Sequence, residues 1–223
     1  MAFISAESLL TPPFTQKDVD ITSREVLQQG FFHVEALTLR HRLFEGGWSP
    51  PMRRELHCRH GAVGVLLYDV ALDSLVFIEQ FRVGAIDDAS PWKLEVVAGL
   101  TEDGESAEDV ARREAREEAG CEIQELIKLH DYYPSAGACN ERVTLLAALV
   151  DASQLGGVHG AVDENEDIRV HVVRFADAWE LMAAGRLDNA MALIGMHWLA
   201  GKRASLRALP EHARRFGALT AAQ

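Results

Sequence analysis

The sequence has 223 residues, a length that suits one large domain or a compact domain with a smaller one. Its formal net charge of -12 argues against sequence-independent binding to nucleic acid and against an anionic membrane surface, because both need clustered Lys and Arg. The 3 cysteines form no CxxC pair, and no run approaches the roughly 18 apolar residues of a membrane span. We therefore expect a cytoplasmic protein with reduced thiols.

The first half of the chain predicts strands. Residues 1–16 are rich in turn formers and predict an irregular segment. Residues 19–42 alternate loosely between polar and apolar types, which is typical of antiparallel strands. Two apolar runs, 61–68 and 75–82, predict a strand, a loop and a second strand, and residues 92–98 predict a short strand.

A helix over residues 106–118 is the clearest element of the sequence. Ser106 suits the N-cap position, and Glu108 and Asp109 suit the positive end of the helix dipole. Gly120 suits the stop that follows a last helical turn.

The second half predicts strands and helices without strict alternation, so we expect an α+β fold with a mixed sheet. The basic tail from Lys202 onward is interpreted as a solvated helix or a frayed end. Three further strands and then two further helices are predicted at residues 123–133, 143–150, 168–175, 176–185 and 188–199.

Three glutamates share one face of the helix over residues 106–118. Glu114, Glu117 and Glu118 lie at positions i, i+3 and i+4, and a helix turns by about 100° per residue. Like charges at this spacing weaken a helix by roughly 0.2–0.5 kcal/mol per pair. The face is either solvated and relieved by nearby arginines, or it is a site where hard divalent cations hold the carboxylates together.

The surrounding residues favour the metal site. Gly99, Glu105 and the run Arg113 to Gly120 fit the spacing G-x5-E-x7-R-E-U-x-E-E-x-G-U, in which U is aliphatic. This spacing resembles the Nudix box. Ala115 and Cys121 occupy the aliphatic positions and are smaller than usual, which we interpret as a variation in packing.

The resemblance extends along most of the chain and points to the ADP-ribose pyrophosphatases of the Nudix superfamily. It implies an α/β/α sandwich around a mixed sheet, with an antiparallel N-terminal β-domain over residues 1–55 and the hydrolase domain over 56–223. It also implies a homodimer that exchanges the N-terminal domain. The similar segments are Gly30 to Phe32, Arg40 to Phe44, Arg53 to Glu55, Ile78 to Arg82, Pro91 to Glu95 and Glu164 to Val170.

The resemblance also implies a set of oxygen ligands for Mg²⁺, with Mn²⁺ as the alternative ion. Bound ions would reverse the repulsion between the carboxylates and an anionic diphosphate. Glu105 and Arg113 are interpreted as a structural ion pair without a catalytic role. The implied ligands are the backbone carbonyl of Ala98 and the carboxylates of Glu114, Glu117, Glu118 and Glu166.

The general base implied by the resemblance is Glu164, in the acidic segment 163–167. Glu118 and Glu141 are the further catalytic candidates. A mobile acidic loop could bring a base over the metals when substrate binds. The alternative is an acidic surface loop without a role in the site.

Four residues match positions that contact substrate in the family. Arg54 and Arg82 suit bidentate contact with phosphate, and the alternative for each is a surface salt bridge. Phe31 or Phe32 would stack on the adenine, across the dimer in one arrangement, and the alternative is core packing.

One departure affects the predicted substrate. ADP-ribose-specific members carry a proline where this chain has Ala136, although Pro134 and Gly137 can still form the turn. We predict hydrolysis of ADP-ribose to AMP and ribose 5-phosphate. The alternatives are another nucleoside-diphosphate sugar or a dinucleotide as substrate, and a module that binds ADP-ribose without cleaving it. The complete set of carboxylates argues against the last.

Overall fold

The structure is a computed structural model that describes residues 5–102, 104–161, 165–211 and 214–217. The chain divides into two compact units, each with its own contacts. The small unit comprises Met1–Arg59 and Ser135–Glu141, and the large unit comprises His60–Pro134 and Arg142–Gln223. Within the described ranges, no helix is both long and apolar enough to span a membrane.

The small unit is built on a three-stranded antiparallel sheet. Its strands are β1 (Val19–Gln29), β2 (His33–His41) and β3 (Met52–Cys58), in the order β1-β2-β3. The antiparallel strands predicted over residues 19–42 are therefore confirmed by β1 and β2. The segment predicted as irregular contains a short helix, α1 (Ala6–Leu10).

The large unit contains one mixed sheet and three helices. The strand order is β10-β11-β5-β4-β9-β8, with β6 added to β5 and β7 added to β4. Only the β4–β9 pairing is parallel among the described strand pairs. The elements are β4 (Ala62–Asp69), β5 (Ser74–Phe81), β6 (Trp92–Glu95), β7 (Val97–Leu100), α2 (Ala107–Ala119), β8 (Glu125–Tyr132), β9 (Val143–Leu149), β10 (Gly157–His159), β11 (Ile168–Arg174), α3 (Phe175–Ala183) and α4 (Ala190–Ala208).

Strand β4 lies at the centre of the core, and all of its residues are buried. Its alternation divides the core into two layers, since successive side chains point to opposite faces. Val65 packs in the cluster that includes Val110 of α2. Leu66 packs in the cluster that includes Met196 of α4. Helices therefore cover both faces of the sheet, which confirms the predicted α+β fold of the sandwich type.

Helix α4 is longer than the sequence predicted. It runs through the basic segment to Ala208, and most residues of that segment are exposed, so the interpretation of a solvated helix agrees with the structure up to that residue. Arg203 and Arg207 both form ion pairs with Asp73 in the turn between β4 and β5, and Leu206 is fully buried. Two of the basic residues in this segment are therefore neutralised by Asp73, which is distant from them in sequence.

Candidate active site

Helix α2 begins and ends as its sequence predicts. The Ser106 Oγ accepts a hydrogen bond from the backbone N–H of Asp109 at 3.2 Å, and the Asp109 carboxylate accepts in return from Ser106. At the other end Gly120 adopts the left-handed conformation, with a φ of 59°. A Cβ at Gly120 would also lie 2.8 Å from the His159 ring, so two constraints favour glycine there.

The first glycine of the motif is explained by a close approach. Gly99 lies in β7 opposite the Glu114 carboxylate, and a Cβ built on Gly99 would lie 1.8 Å from Glu114 Oε1. No side chain fits in that space. The spacing of the motif therefore places the Glu114 carboxylate directly against the backbone of β7.

Glu118 is the most buried acid of α2, with 3% of its surface exposed. Its Oε2 accepts a hydrogen bond from the Ala98 N–H at 3.0 Å. Burial raises the pKa of Glu118 to about 8, and the nearby charges of Glu114 and Glu166 raise it too. Burial likewise raises the pKa of Glu114. Burial makes the charged form of both carboxylates unfavourable, and a divalent cation bound beside them would compensate that desolvation.

Arg113 bridges three acids of the motif. Its Nε and Nη2 donate to the two carboxylate oxygens of Glu105 at 3.0 and 3.1 Å. Its Nη1 donates to Glu114 at 2.7 Å and to Glu117 at 3.3 Å. The predicted structural pair of Glu105 and Arg113 is therefore present, and the same guanidinium also screens the repulsion between Glu114 and Glu117.

Glu166 lies before β11 and is held by the neighbouring backbone. Its Oε2 accepts from the Ala161 N–H at 3.2 Å, and a Cβ on Gly160 would lie 2.8 Å from the Glu166 Cβ. In the described part of the chain, no three oxygens of the predicted ligand carboxylates lie within 4.8 Å of one another.

Two further acids were predicted for the site, Glu164 and Glu141. Glu164 lies outside the described residues. Glu141 belongs to the small unit, where it forms an ion pair with Arg59 at 3.2 Å and is largely buried. That pair gives Glu141 a structural role within its own unit.

Arg82 follows β5 in the large unit and pairs with a buried acid. Its Nε lies 2.6 Å from Oε2 of Glu95, whose Oε1 accepts from Asn189 Nδ2 at 2.7 Å. Arg82 also acts to lower the pKa of Glu118, so both groups share one electrostatic environment. The sequence placed Glu95 within a segment similar to the family but predicted no role for it, and it gave no signal for Asn189.

The other predicted substrate residues lie in the small unit. Arg54 of β3 donates to the Arg53 carbonyl at 3.0 Å and pairs with no carboxylate among the described residues. Phe31 is 93% exposed, so the alternative of core packing does not hold for this residue. Phe32 is half exposed and contacts both Phe31 and His57 edge-on.

The loop that lacks the usual proline still forms a turn. The N–H groups of Ala138 and Cys139 both donate to the carbonyl of Ser135, at 3.3 and 3.0 Å. The space that a side chain on Gly137 would occupy is open. Ala136 is therefore compatible with the turn.

Comparison with known families identifies this arrangement, since the model of the NUDIX domain matches residues 59–194. The chain belongs to the Nudix family. This confirms the prediction of a diphosphate hydrolase, which was made from the spacing of Gly99, Glu105 and the α2 residues.

Relatives extend the match across both units. The chain is 42% identical over 190 residues to the ADP-ribose pyrophosphatase of Haemophilus influenzae, which covers 83% of this chain and 88% of that protein. The ADP-ribose pyrophosphatase of Escherichia coli K12 is 45% identical over 187 residues, covering 83% and 90%. The GDP-mannose pyrophosphatase of Enterobacter sp. is 31% identical over 183 residues, covering 81% and 94%.

A solved structure supports the fold alone. The crystal structure of an ADP compounds hydrolase superposes with a TM-score of 0.64 and is 21% identical. The alignment covers 85% of this chain and 98% of that one.

Proposed function

We propose that this Nudix enzyme hydrolyses the diphosphate of ADP-ribose and releases AMP and ribose 5-phosphate. The observation that carries the proposal is the buried acid Glu118 on α2, beside Glu114, in a chain whose relatives at 42% and 45% identity are named ADP-ribose pyrophosphatase. A protein that only bound the nucleotide would bear the cost of burying these carboxylates without using them.

Mg²⁺ fits the proposed ligands, with Mn²⁺ as the alternative. The donors are hard oxygens: the carboxylates of Glu114, Glu117, Glu118 and Glu166 and the carbonyl of Ala98. Glu117 is half exposed and pairs with Arg113, so it would have to turn toward the ion. When bound, the divalent ions supply charge neutralisation and Lewis acidity at the diphosphate.

The side chains of the protein would then bind the substrate and accept the proton of the attacking water. We assign Arg82 and Arg54 to the phosphates, because guanidinium groups match phosphate oxygens in pairs. Phe31 and Phe32 are assigned to the adenine, and the exposure of Phe31 leaves its face free for stacking. Glu164 is the proposed base for the attacking water, and Glu118 and Glu141 remain the other catalytic candidates.

A second candidate substrate is GDP-mannose, since relatives with that name match 81% of the chain at 31% identity. A panel of ADP-ribose, GDP-mannose and a dinucleotide, each with Mg²⁺, separates the two. We expect the highest kcat/KM for ADP-ribose. A higher kcat/KM for GDP-mannose or the dinucleotide would identify that compound as the preferred substrate. Binding of ADP-ribose without turnover would indicate a sensor.

We also propose that the protein is a cytoplasmic homodimer joined through its small unit. Strand β1 is a sheet edge 11 residues long, and its outer backbone groups are available to a second chain. A protein of net charge -12 with this surface suits neither nucleic acid nor anionic lipid as a partner. The unit exposes the apolar residues Val19, Ile21, Val26, Leu27, Phe31, Phe32, Leu43 and Phe44.

A further inference from the structure

A second cluster of ligand-type side chains lies in the small unit. His33 on β2 is directly opposite Cys58 on β3, so their side chains project from the same face of the sheet. Glu35 is two residues further along β2 and shares that face. One ligand atom from each of the three residues lies within 4.8 Å of the other two.

These three donors differ in kind from the carboxylates of α2. An imidazole nitrogen, a thiolate sulfur and one carboxylate oxygen form a set that zinc prefers, whereas magnesium prefers oxygen alone. Around a tetrahedral zinc ion, ligand atoms at bond lengths of about 2.0–2.3 Å are roughly 3.5 Å apart. Small rotations of the side chains of His33, Glu35 and Cys58 would bring them from their present spacing to that geometry.

The neighbouring residues already orient the carboxylate of Glu35. Arg24 Nη1 on β1 donates to its Oε2 at 2.8 Å, and this bond directs the other oxygen, Oε1, toward His33 at 3.2 Å. A ligand carboxylate held by a second hydrogen bond is typical of metal sites. His33 and Glu35 retain 35% and 18% of their side-chain surface, so an ion can reach them from solvent.

We propose that the small unit binds one Zn²⁺ ion through His33, Glu35 and Cys58, with water as the fourth ligand. Binding would break the hydrogen bond between His33 and Glu35 and release the proton of the Cys58 thiol to solvent. The ion would join β2 to β3 and stabilise the three-stranded sheet. This site would be separate from the ions that the hydrolase carboxylates hold, and it does not depend on the proposed substrate.

Two nearby residues provide contrasts. Cys139 lies in the loop of the same unit, where its Sγ accepts from the Glu141 N–H at 3.4 Å, but its sulfur is not among the three ligand atoms. His57 pairs with Val34 and therefore projects from the opposite face of the sheet, where it contacts Phe32. Substitution of Cys139 by alanine therefore removes a thiol of the small unit without removing a proposed ligand.

Titration with Co²⁺ as a probe for zinc tests the site in the full-length protein. Excess Mg²⁺ is present throughout to keep Co²⁺ from the carboxylates of α2, where bound Co²⁺ would consume titrant and add visible bands of its own. We expect one equivalent of Co²⁺ per chain to produce thiolate charge-transfer absorption together with the visible bands of a four-coordinate ion. Zn²⁺ added afterwards should abolish both signals by displacement.

The variants assign the ligands. Cys58→Ala should lose the charge-transfer band, and His33→Ala and Glu35→Gln should each weaken Co²⁺ binding by at least tenfold. Cys139→Ala should bind as the parent does, and circular dichroism of every variant checks its fold. Absence of the charge-transfer band in the parent, or its survival in folded Cys58→Ala, would overturn the proposal. Its loss in Cys139→Ala would move the thiol ligand to Cys139 and also overturn it.

Discussion

Contacts explain several single residues in and beside the motif. Gly99 gives space to the Glu114 carboxylate, Ser106 caps α2, and the buried Glu118 accepts a hydrogen bond from the backbone of β7. Glu118 retains 3% of its surface, and its pKa is raised to about 8 mainly by burial. An acid in such a position is stable as a carboxylate only when a cation compensates its charge. The burial of Glu118 therefore supports the proposed metal site on α2.

The roles of Glu164 and Glu166 can be separated by substitution. Glu166→Gln should weaken a metal site, so excess Mg²⁺ should restore part of the lost rate. Glu164→Gln should remove the proton acceptor while leaving metal and substrate bound, at a cost of about 10²–10⁴-fold in kcat. Steady-state kinetics across a range of Mg²⁺ concentrations measures both effects.

Each outcome assigns the two acids. Rescue of Glu164→Gln by Mg²⁺, without rescue of Glu166→Gln, would exchange their roles. Normal rates in both variants would return the acidic segment to the interpretation of a surface loop and leave Glu141 as the next candidate base.

The site residues divide into those that sequence could identify and those that it could not. Glu114 and Glu118 are identified by their spacing on one helix, because helical periodicity places them on one face. Glu95 and Asn189 support Arg82 from positions that are 13 and 107 residues away from it in sequence, so only the folded chain brings them together. The same applies to Glu35 and Cys58.

Elements of secondary structure were predicted where their signal is local. Both ends of α2 follow from its caps, and β4 follows from a continuous apolar run. Strand β3 was missed because its residues are half-buried or exposed and show no apolar alternation, and β10 has only 3 residues. The ion pairs of Arg203 and Arg207 with Asp73 could not be predicted, because Asp73 is far away in sequence.

The attachment of α4 to the turn between β4 and β5 depends on Asp73. Its carboxylate accepts hydrogen bonds from Arg203 and from the Tyr68 hydroxyl, and its backbone has a left-handed φ of 54°. Asn tolerates that conformation, so Asp73→Asn removes the charge without adding backbone strain. We expect the variant to lose roughly 1.5–3 kcal/mol of the free energy of unfolding at pH 7, measured by urea titration.

The loss should depend on pH in a defined direction. Burial alone raises the pKa of Asp73, but the hydrogen bonds and charges of Arg203, Tyr68 and Arg207 outweigh it and leave the pKa below its ordinary value of 3.8. The contribution is therefore complete above that value and disappears as pH falls below it. The matched variant Asp88→Asn, at an exposed carboxylate that pairs with Lys93, should lose clearly less, because solvent screens the charge of an exposed carboxylate. Equal losses in the two variants would contradict the role of Asp73.

At the scale of the whole molecule, the exposed apolar surface of the small unit predicts self-association. Light scattering should give twice the chain mass for the parent protein. Val26→Glu, at a half-exposed position of β1, should shift the protein toward monomer because it places a charge on the proposed interface. Leu72→Glu adds the same charge to an exposed turn of the large unit and should leave the mass unchanged. A monomeric parent would exclude the dimer.

The most direct test is release of AMP from ADP-ribose in the presence of Mg²⁺, measured for the parent, Glu118→Gln and Glu108→Gln. Glu118→Gln keeps the shape of a buried ligand and removes its charge, whereas Glu108 lies exposed on the same helix and pairs with Arg112. We predict AMP and ribose 5-phosphate from the parent, a parental rate for Glu108→Gln, and a rate several orders of magnitude lower for folded Glu118→Gln. A parent that releases no AMP, or a Glu118→Gln variant that turns over at the parental rate, would contradict the proposed function.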